Sequence, residues 1–141
     1  MIRLATQKDK DELALMLLAM YVELFQEEAS YNMAVYQDEI QKHLDNPRDY
    51  IYVDEDYKGF FVVRDETEAM TPNLHRYNGI RVFIAKQYRR SPLLALFYSH
   101  LFHDFPDGDI LGMTEINSDH IPVLDKRHEL IAKVYKLKRS K

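Results

Sequence analysis

The stretch GIRVFIAKQYRRSPLLALFYSHLF, residues 79–102, reads as a strand, a turn and a helix. Ile80, Val82 and Ile84 alternate with Arg81, Phe83 and Ala85, the two-residue period of a β-strand. Lys86, Arg89 and Arg90 put three cations into the turn that follows. Ser91 offers the side-chain oxygen of an N-cap, and Pro92 falls at the first helical position, where its missing N–H costs the helix nothing. Leu93, Leu94, Phe97, Tyr98 and Leu101 then recur at helical spacing. A cationic turn opening onto a helix N-terminus suits a phosphate-bearing ligand, because unpaired N–H groups and the helix dipole both favour an anion. An ordinary β-turn-α connection with a solvated charge cluster has the same pattern.

On the N-terminal side, residues 2–5 alternate as a short first strand, and Thr6 caps the helix after it. Asp9, Asp11 and Glu12 sit in that helix's first turn, where acids suit the dipole. Leu13, Met16, Leu17, Met20, Tyr21, Leu24 and Phe25 carry the helix to about Glu28, with its Met and Tyr read as core. Residues 30–32 break the pattern and cap a second helix with a stripe of Val35, Tyr36, Ile40 and Leu44, which Asn46-Pro47 ends. Residues 50–53 and 59–64 read as strands of a hairpin, and residues 65–78 as a long polar loop. On the C-terminal side, Pro106 and Gly108 stop the helix. A strand over residues 109–116, a short helix holding Ile121, Val123 and Leu124, and a last strand over residues 131–137 complete the chain. The order β-α-α-β-β-β-α-β-α-β predicts one α/β domain over residues 1–141, a mixed central sheet flanked by helices.

Composition narrows the function classes. A chain of 141 residues, 46% hydrophobic and 30% charged, has the make-up of a soluble globular domain. No apolar run is long enough to span a bilayer. With no cysteine there is no disulfide framework, thiolate nucleophile or thiolate metal site, which fits a cytoplasmic protein. The net charge of −4 argues against a dedicated nucleic-acid binder, although Lys133, Lys136, Lys138, Arg139 and Lys141 make the C-terminus basic. His100 and His103, three apart on one helix with Asp104 near, read as an exposed helix end and not as a zinc site. The expectation is that no metal is bound.

Element order and length over nearly the whole chain resemble the GNAT N-acyltransferase superfamily. Two stretches carry the likeness locally. Ile2-Arg3-Leu4-Ala5-Thr6, with Asp9 and Leu13, is similar to the family's opening strand and helix. Asn117-Ser118-Asp119-His120-Ile121-Pro122-Val123-Leu124-Asp125-Lys126 resembles the end of its fifth strand and the helix beyond, in the form that small phage-encoded members show. The resemblance implies an acetyl group moved from acetyl-CoA, as co-substrate, to an amine acceptor on a small molecule or protein. It places the acyl-CoA loop at the turn after the fourth strand, with Lys86, Arg89, Arg90 and Ser91 near the phosphates. It implies backbone contacts from Val82, Phe83 and Ile84 to the acyl and pantetheine groups. Glu115 is the implied base and Asn117 the implied water or thiolate contact, each having a plainer reading as a strand carboxylate and a helix cap. His75 and Tyr77, just before the fourth strand, are expected to line the acceptor site. The family's loop signature is Q/R-x-x-G-x-G/A. In the register from Arg89, Pro92 and Leu94 stand at the two small positions, and Leu124 stands where a general-acid Tyr is frequent. These departures keep a second reading open: a GNAT-like fold without acyl-CoA binding, serving as a binding or assembly module, phage- or prophage-encoded. The last strand, residues 131–137, is the segment expected to pair across a homodimer.

Overall fold

A computed structural model describes residues 1–112, with side chains described through residue 108. The elements are β1 (Ile2–Leu4), α1 (Lys10–Phe25), α2 (Met33–Asp45), β2 (Asp49–Asp54), β3 (Gly59–Asp65), β4 (Arg76–Ile84), α3 (Leu93–Asp104) and β5 (Asp109–Gly112). Single 3-10 turns stand at Gln7–Asp9, Gln26–Glu28 and Lys86–Tyr88. The expected element order holds through the fifth strand. Glu115, Asn117, the helix around Leu124 and the strand at residues 131–137 lie outside the described residues.

The sheet runs in the order β1-β2-β3-β4-β5. Its first four strands are antiparallel neighbours, and β5 lies parallel to β4. Parallel neighbours need a crossover, and α3 supplies it. Strands β2, β3 and β4 each contribute alternate residues to two cores. Ile51, Val53, Phe60, Val62 and Phe83 pack with Leu13, Met16 and Leu17 of α1 and Tyr36 and Ile40 of α2. Tyr52, Phe61, Val63 and Ile84 pack on the other face with Leu93, Leu94, Phe97, Tyr98 and Leu101 of α3. Alternation of period two across the sheet is therefore what makes the molecule three layers thick.

The N-terminus is fixed by a reciprocal cap. The Thr6 N–H donates to Asp9 at 2.8 Å, and Asp9 also accepts two bonds from Arg3 at 2.8 Å and one from Tyr57 at 2.7 Å. Asn32 caps α2 by accepting from the Ala34 N–H at 3.1 Å, within the segment expected to cap it. Two boundaries differ from expectation. Helix α1 ends at Phe25 because Gln26 takes φ +51, a conformation that breaks the helical ladder. Leu24 and Phe25, the last residues of the helical stripe, are about half exposed. The loop after β3 is also shorter than expected, since β4 already begins at Arg76, where Asp65 pairs with Tyr77.

The fourth strand carries the main departure. Val62 pairs with Arg81 but Val63 pairs with Gly79, so Ile80 is an extra residue, a β-bulge. Beyond it the alternation of faces inverts. Tyr77 packs on the α3 side, and uninterrupted alternation would place Arg81 there too. Instead Ile80 and Phe83 pack against the α1–α2 core while Val82 and Ile84 take the α3 side. The sequence pattern grouped Ile80 with Val82 and Ile84; the bulge separates them.

Candidate functional site

Two features of the described structure are candidate ligand sites, and β4 connects them. The first is the turn leading into α3. The N–H groups of Tyr88, Arg89 and Ser91 are taken by backbone carbonyls inside the turn. Leu93 N–H has only the Ser91 hydroxyl, at 3.3 Å, and the first backbone i→i−4 bond of the helix is Leu96 to Pro92 at 2.9 Å. The N–H groups of Leu94 and Ala95 thus donate to no backbone carbonyl among the described residues, as befits the open end of a helix. α3 begins at Leu93, so Pro92 is the cap residue and Ser91 caps from one position farther out than expected. Leu94, at 2% exposure, is turned into the core under the sheet. Its side chain does not narrow this end of the helix. Lys86 and Arg90 are exposed at the turn, and Lys58 from the β2–β3 turn reaches over the Tyr88 ring at 5.1 Å.

Arg89 ties the turn to the rest of the molecule. Its Nε–H donates to the Ile84 carbonyl at 2.9 Å, at the end of β4. Its two terminal nitrogens pair with both oxygens of Glu23 on α1. Of the expected backbone contacts on β4, the Ile84 carbonyl is therefore already engaged, while Val82 and Phe83 pair with Phe61 and Phe60 of β3.

The second feature is a cleft of about 560 Å³ between α1 and α2, floored by β4. Leu17, Tyr21, Phe25, Val35 and Tyr36 form its walls; Glu28, Glu39 and Arg81 supply its charge. Because of the bulge, Arg81 points into this cleft. A chain of hydrogen bonds from α2, β2 and α1 holds it there. Arg81 Nε–H donates to His43 Nε2 at 3.0 Å, and His43 Nδ1 lies 2.8 Å from Asp49. A guanidinium only donates, so His43 Nε2 accepts and its proton sits on Nδ1, donated to Asp49. Asp49, whose side chain is 0% exposed, also accepts from Arg64 at 2.7 and 3.0 Å. Burial works against ionisation of Asp49, but the bonds from Arg64 and His43 prevail and hold its carboxyl below the ordinary range. At the other end, Arg81 donates to the Tyr21 hydroxyl at 2.9 Å and to Glu39 at 3.4 Å.

The helical stripe predicts Tyr21 as core; it is half-buried and lines the cleft. Arg81, His43 and Asp49 carry no functional motif in the sequence, where 38 residues separate Arg81 from His43. The expected acceptor residues lie elsewhere. Tyr77 packs on Phe105 with ring centres 4.3 Å apart, on the α3 side, and His75 stacks beside it at 6.4 Å. Neither lines the α1–α2 cleft. His103 lies 3.2 Å from Asp104, which in turn accepts from Tyr52 at 2.7 Å.

No family model and no curated protein matches the chain. Solved structures do match it end to end. A possible acetyltransferase from Clostridium difficile 630 is similar with TM-score 0.73 and 17% identity, over 100% of this chain and 98% of that one. A ribosomal-protein-alanine N-acetyltransferase from Brucella melitensis biovar Abortus 2308 is similar with TM-score 0.70 and 15% identity, over 99% of each chain. The chain has the GNAT fold.

The GNAT fold here also matches a transcriptional regulator from Bacillus halodurans C-125, with TM-score 0.75 and 16% identity over 99% of each chain. Identities of this size speak for fold, and the activities named belong to those proteins. Strand β4 carries Arg81 of the cleft and leads at Ile84 into the α3 turn, and Arg89 ties that turn to the end of β4 and to Glu23 of α1. No helix among the described residues is long and apolar enough to cross a membrane.

Proposed function

We propose that the protein is a GNAT-type N-acetyltransferase that binds acetyl-CoA at the turn into α3 and an amine acceptor in the α1–α2 cleft. The observation that carries this reading is the open end of α3. The N–H groups of Leu93, Leu94 and Ala95 have no backbone partner among the described residues, Leu94 is turned away into the core, and the turn before them carries the exposed Lys86 and Arg90 and the Glu23-paired Arg89. That combination suits a pyrophosphate, even without the two small residues of the family's loop. Ser91 adds a hydroxyl at the same place. The thioester is already activated, so the protein's work is to align the amine, take up its proton, support the oxyanion that forms as the C–N bond is made, and protonate the CoA thiolate that leaves as the C–S bond breaks. The backbone of Val82 and Phe83 is the proposed source of that support, with Glu115 as base and Asn117 as a water or thiolate contact.

Isothermal titration with acetyl-CoA tests the reading, with desulfo-CoA and ATP for comparison. Saturable binding of acetyl-CoA together with acetyl transfer to an amine is the expected result. Absence of both heat and thermal stabilisation at millimolar acetyl-CoA would refute it and leave the fold as a binding module.

A further inference from the structure

The α1–α2 cleft has an uneven set of donors and acceptors. Arg81 has five N–H groups. One goes to His43, one to Tyr21 and one, at 3.4 Å, to Glu39. Two therefore have no acceptor among the described residues. The Tyr21 oxygen accepts from Arg81, and its own O–H donates to no described group. Three donors thus remain at the floor, beside walls made of Leu17, Phe25, Val35 and the Tyr36 ring. Glu39 does not absorb the surplus, because its other oxygen faces Lys42 at 3.0 Å. At the rim, Glu28 makes no ion pair among the described residues. The floor is rich in donors around the Arg81–Glu39 pair; the rim holds a further carboxylate, Glu28.

Arg81 is also held in position. Its Nε is held by His43, and His43 is held by the buried Asp49, so the guanidinium is fixed at the cleft floor. One N–H is left over on each of its terminal nitrogens, and a carboxylate can accept both. We infer that the cleft takes an amine that also bears a carboxylate on an apolar body, an amino acid of hydrophobic side chain being the simplest case. The carboxylate lies on Arg81 and the Tyr21 hydroxyl, the apolar body lies against Phe25, Val35 and Tyr36, and the amine faces Glu28. The inference rests on the acetyl-transfer reading for the amine's fate, but not for the binding itself.

The test uses calorimetry on the full chain without acetyl-CoA. Phenylalanine and phenethylamine share a ring and an amine and differ in the carboxylate. Phenylalanine should bind about ten- to a hundredfold more tightly, the range for charge-assisted hydrogen bonds converted to an affinity ratio. Tyr21→Phe and Arg81→Lys, each first confirmed to melt cooperatively, should shrink that preference to a few-fold. The proposal is overturned by equal binding of the two ligands, by tighter binding of spermidine, by no binding of phenylalanine up to its solubility limit, or by an unchanged preference in both variants. Failure of acetyl-CoA to bind while the preference persists would refute the acetyl-transfer reading and leave this one standing.

Discussion

Replacing Asp49 by Asn removes the anchor of the Arg81 network while keeping the side chain's shape. The carboxylate accepts three bonds, from Arg64 Nε at 2.7 Å, Arg64 Nη2 at 3.0 Å and His43 Nδ1 at 2.8 Å. An amide has one oxygen. With its oxygen in the Oδ2 place it keeps His43 and Arg64 Nη2 but sets NH₂ against Arg64 Nε; with its oxygen in the Oδ1 place it keeps Arg64 Nε but sets NH₂ against the His43 N–H and Arg64 Nη2. At least one donor is left unsatisfied either way. Breaking a buried pair costs about 3–5 kcal/mol, and a single charge-assisted hydrogen bond about 1.5–3 kcal/mol. Arg64 is 37% exposed and can turn to water, which lowers the cost. The expected loss is about 2–4 kcal/mol, equivalent to roughly 6–15 °C in Tm for a chain of this size. Urea unfolding followed by circular dichroism at pH 7 measures it. Asp56→Asn is the control: Asp56 is 77% exposed with Lys58 4.0 Å away. It should change stability by less than about 0.5 kcal/mol. An Asp49→Asn protein as stable as the control would refute the view that this network is a fixed support for Arg81.

Acid should unfold the protein partly through Asp9. The hydrogen bonds from Arg3 come first in holding its carboxyl well below the ordinary range; burial opposes them, and the Thr6 N–H and Tyr57 assist. A depressed folded value means that this stabilisation is present above the unfolded value, near ~4, and is lost as pH falls below it. The urea midpoint should therefore drop between about pH 4 and pH 2, and Asp9→Asn should start lower at pH 7 and drop less. An unaltered pH slope in the variant would contradict this. Gly59→Ala should also destabilise. Its Cβ would stand 2.5 Å from the Phe83 carbonyl oxygen and 3.3 Å from Ile84 Cα, both backbone atoms of β4. The cost is about 1–3 kcal/mol by chemical denaturation, and acetyl-CoA should bind less well because β4 must move. A variant unchanged in both respects would show that β4 yields at this point without consequence.

Local patterns accounted for most of the framework. Alternation in residues 50–53 and 59–64 found β2 and β3, Asn46-Pro47 marked the end of α2, and the helical stripe of Leu13, Met16 and Leu17 found the face of α1 that is buried. These signals are carried by near neighbours in the chain, where periodicity and capping act. The cleft was not legible for the opposite reason. Asp49, His43, Arg81 and Tyr21 come from four elements, and each alone reads as a surface or core residue. Tyr21 in particular continues the same stripe as Leu17, and only the end of α1 at Phe25 leaves it facing open space. The turn into α3 lies between these cases. Its cations and cap were visible, but the burial of Leu94 depends on how α3 docks on the sheet, which no local pattern specifies.

The extra residue at Ile80 acts on the strand as a change of parity. Everything before it keeps one assignment of odd and even positions to the two layers, and everything after it keeps the other. The layer that receives a guanidinium is thus decided by a count and not by the identity of any residue. A lineage can exchange what its cleft floor presents by gaining or losing a single position in β4, with both cores still supplied by aliphatic and aromatic side chains. Comparisons of residue type at aligned columns would miss such an exchange; comparison of strand lengths would detect it.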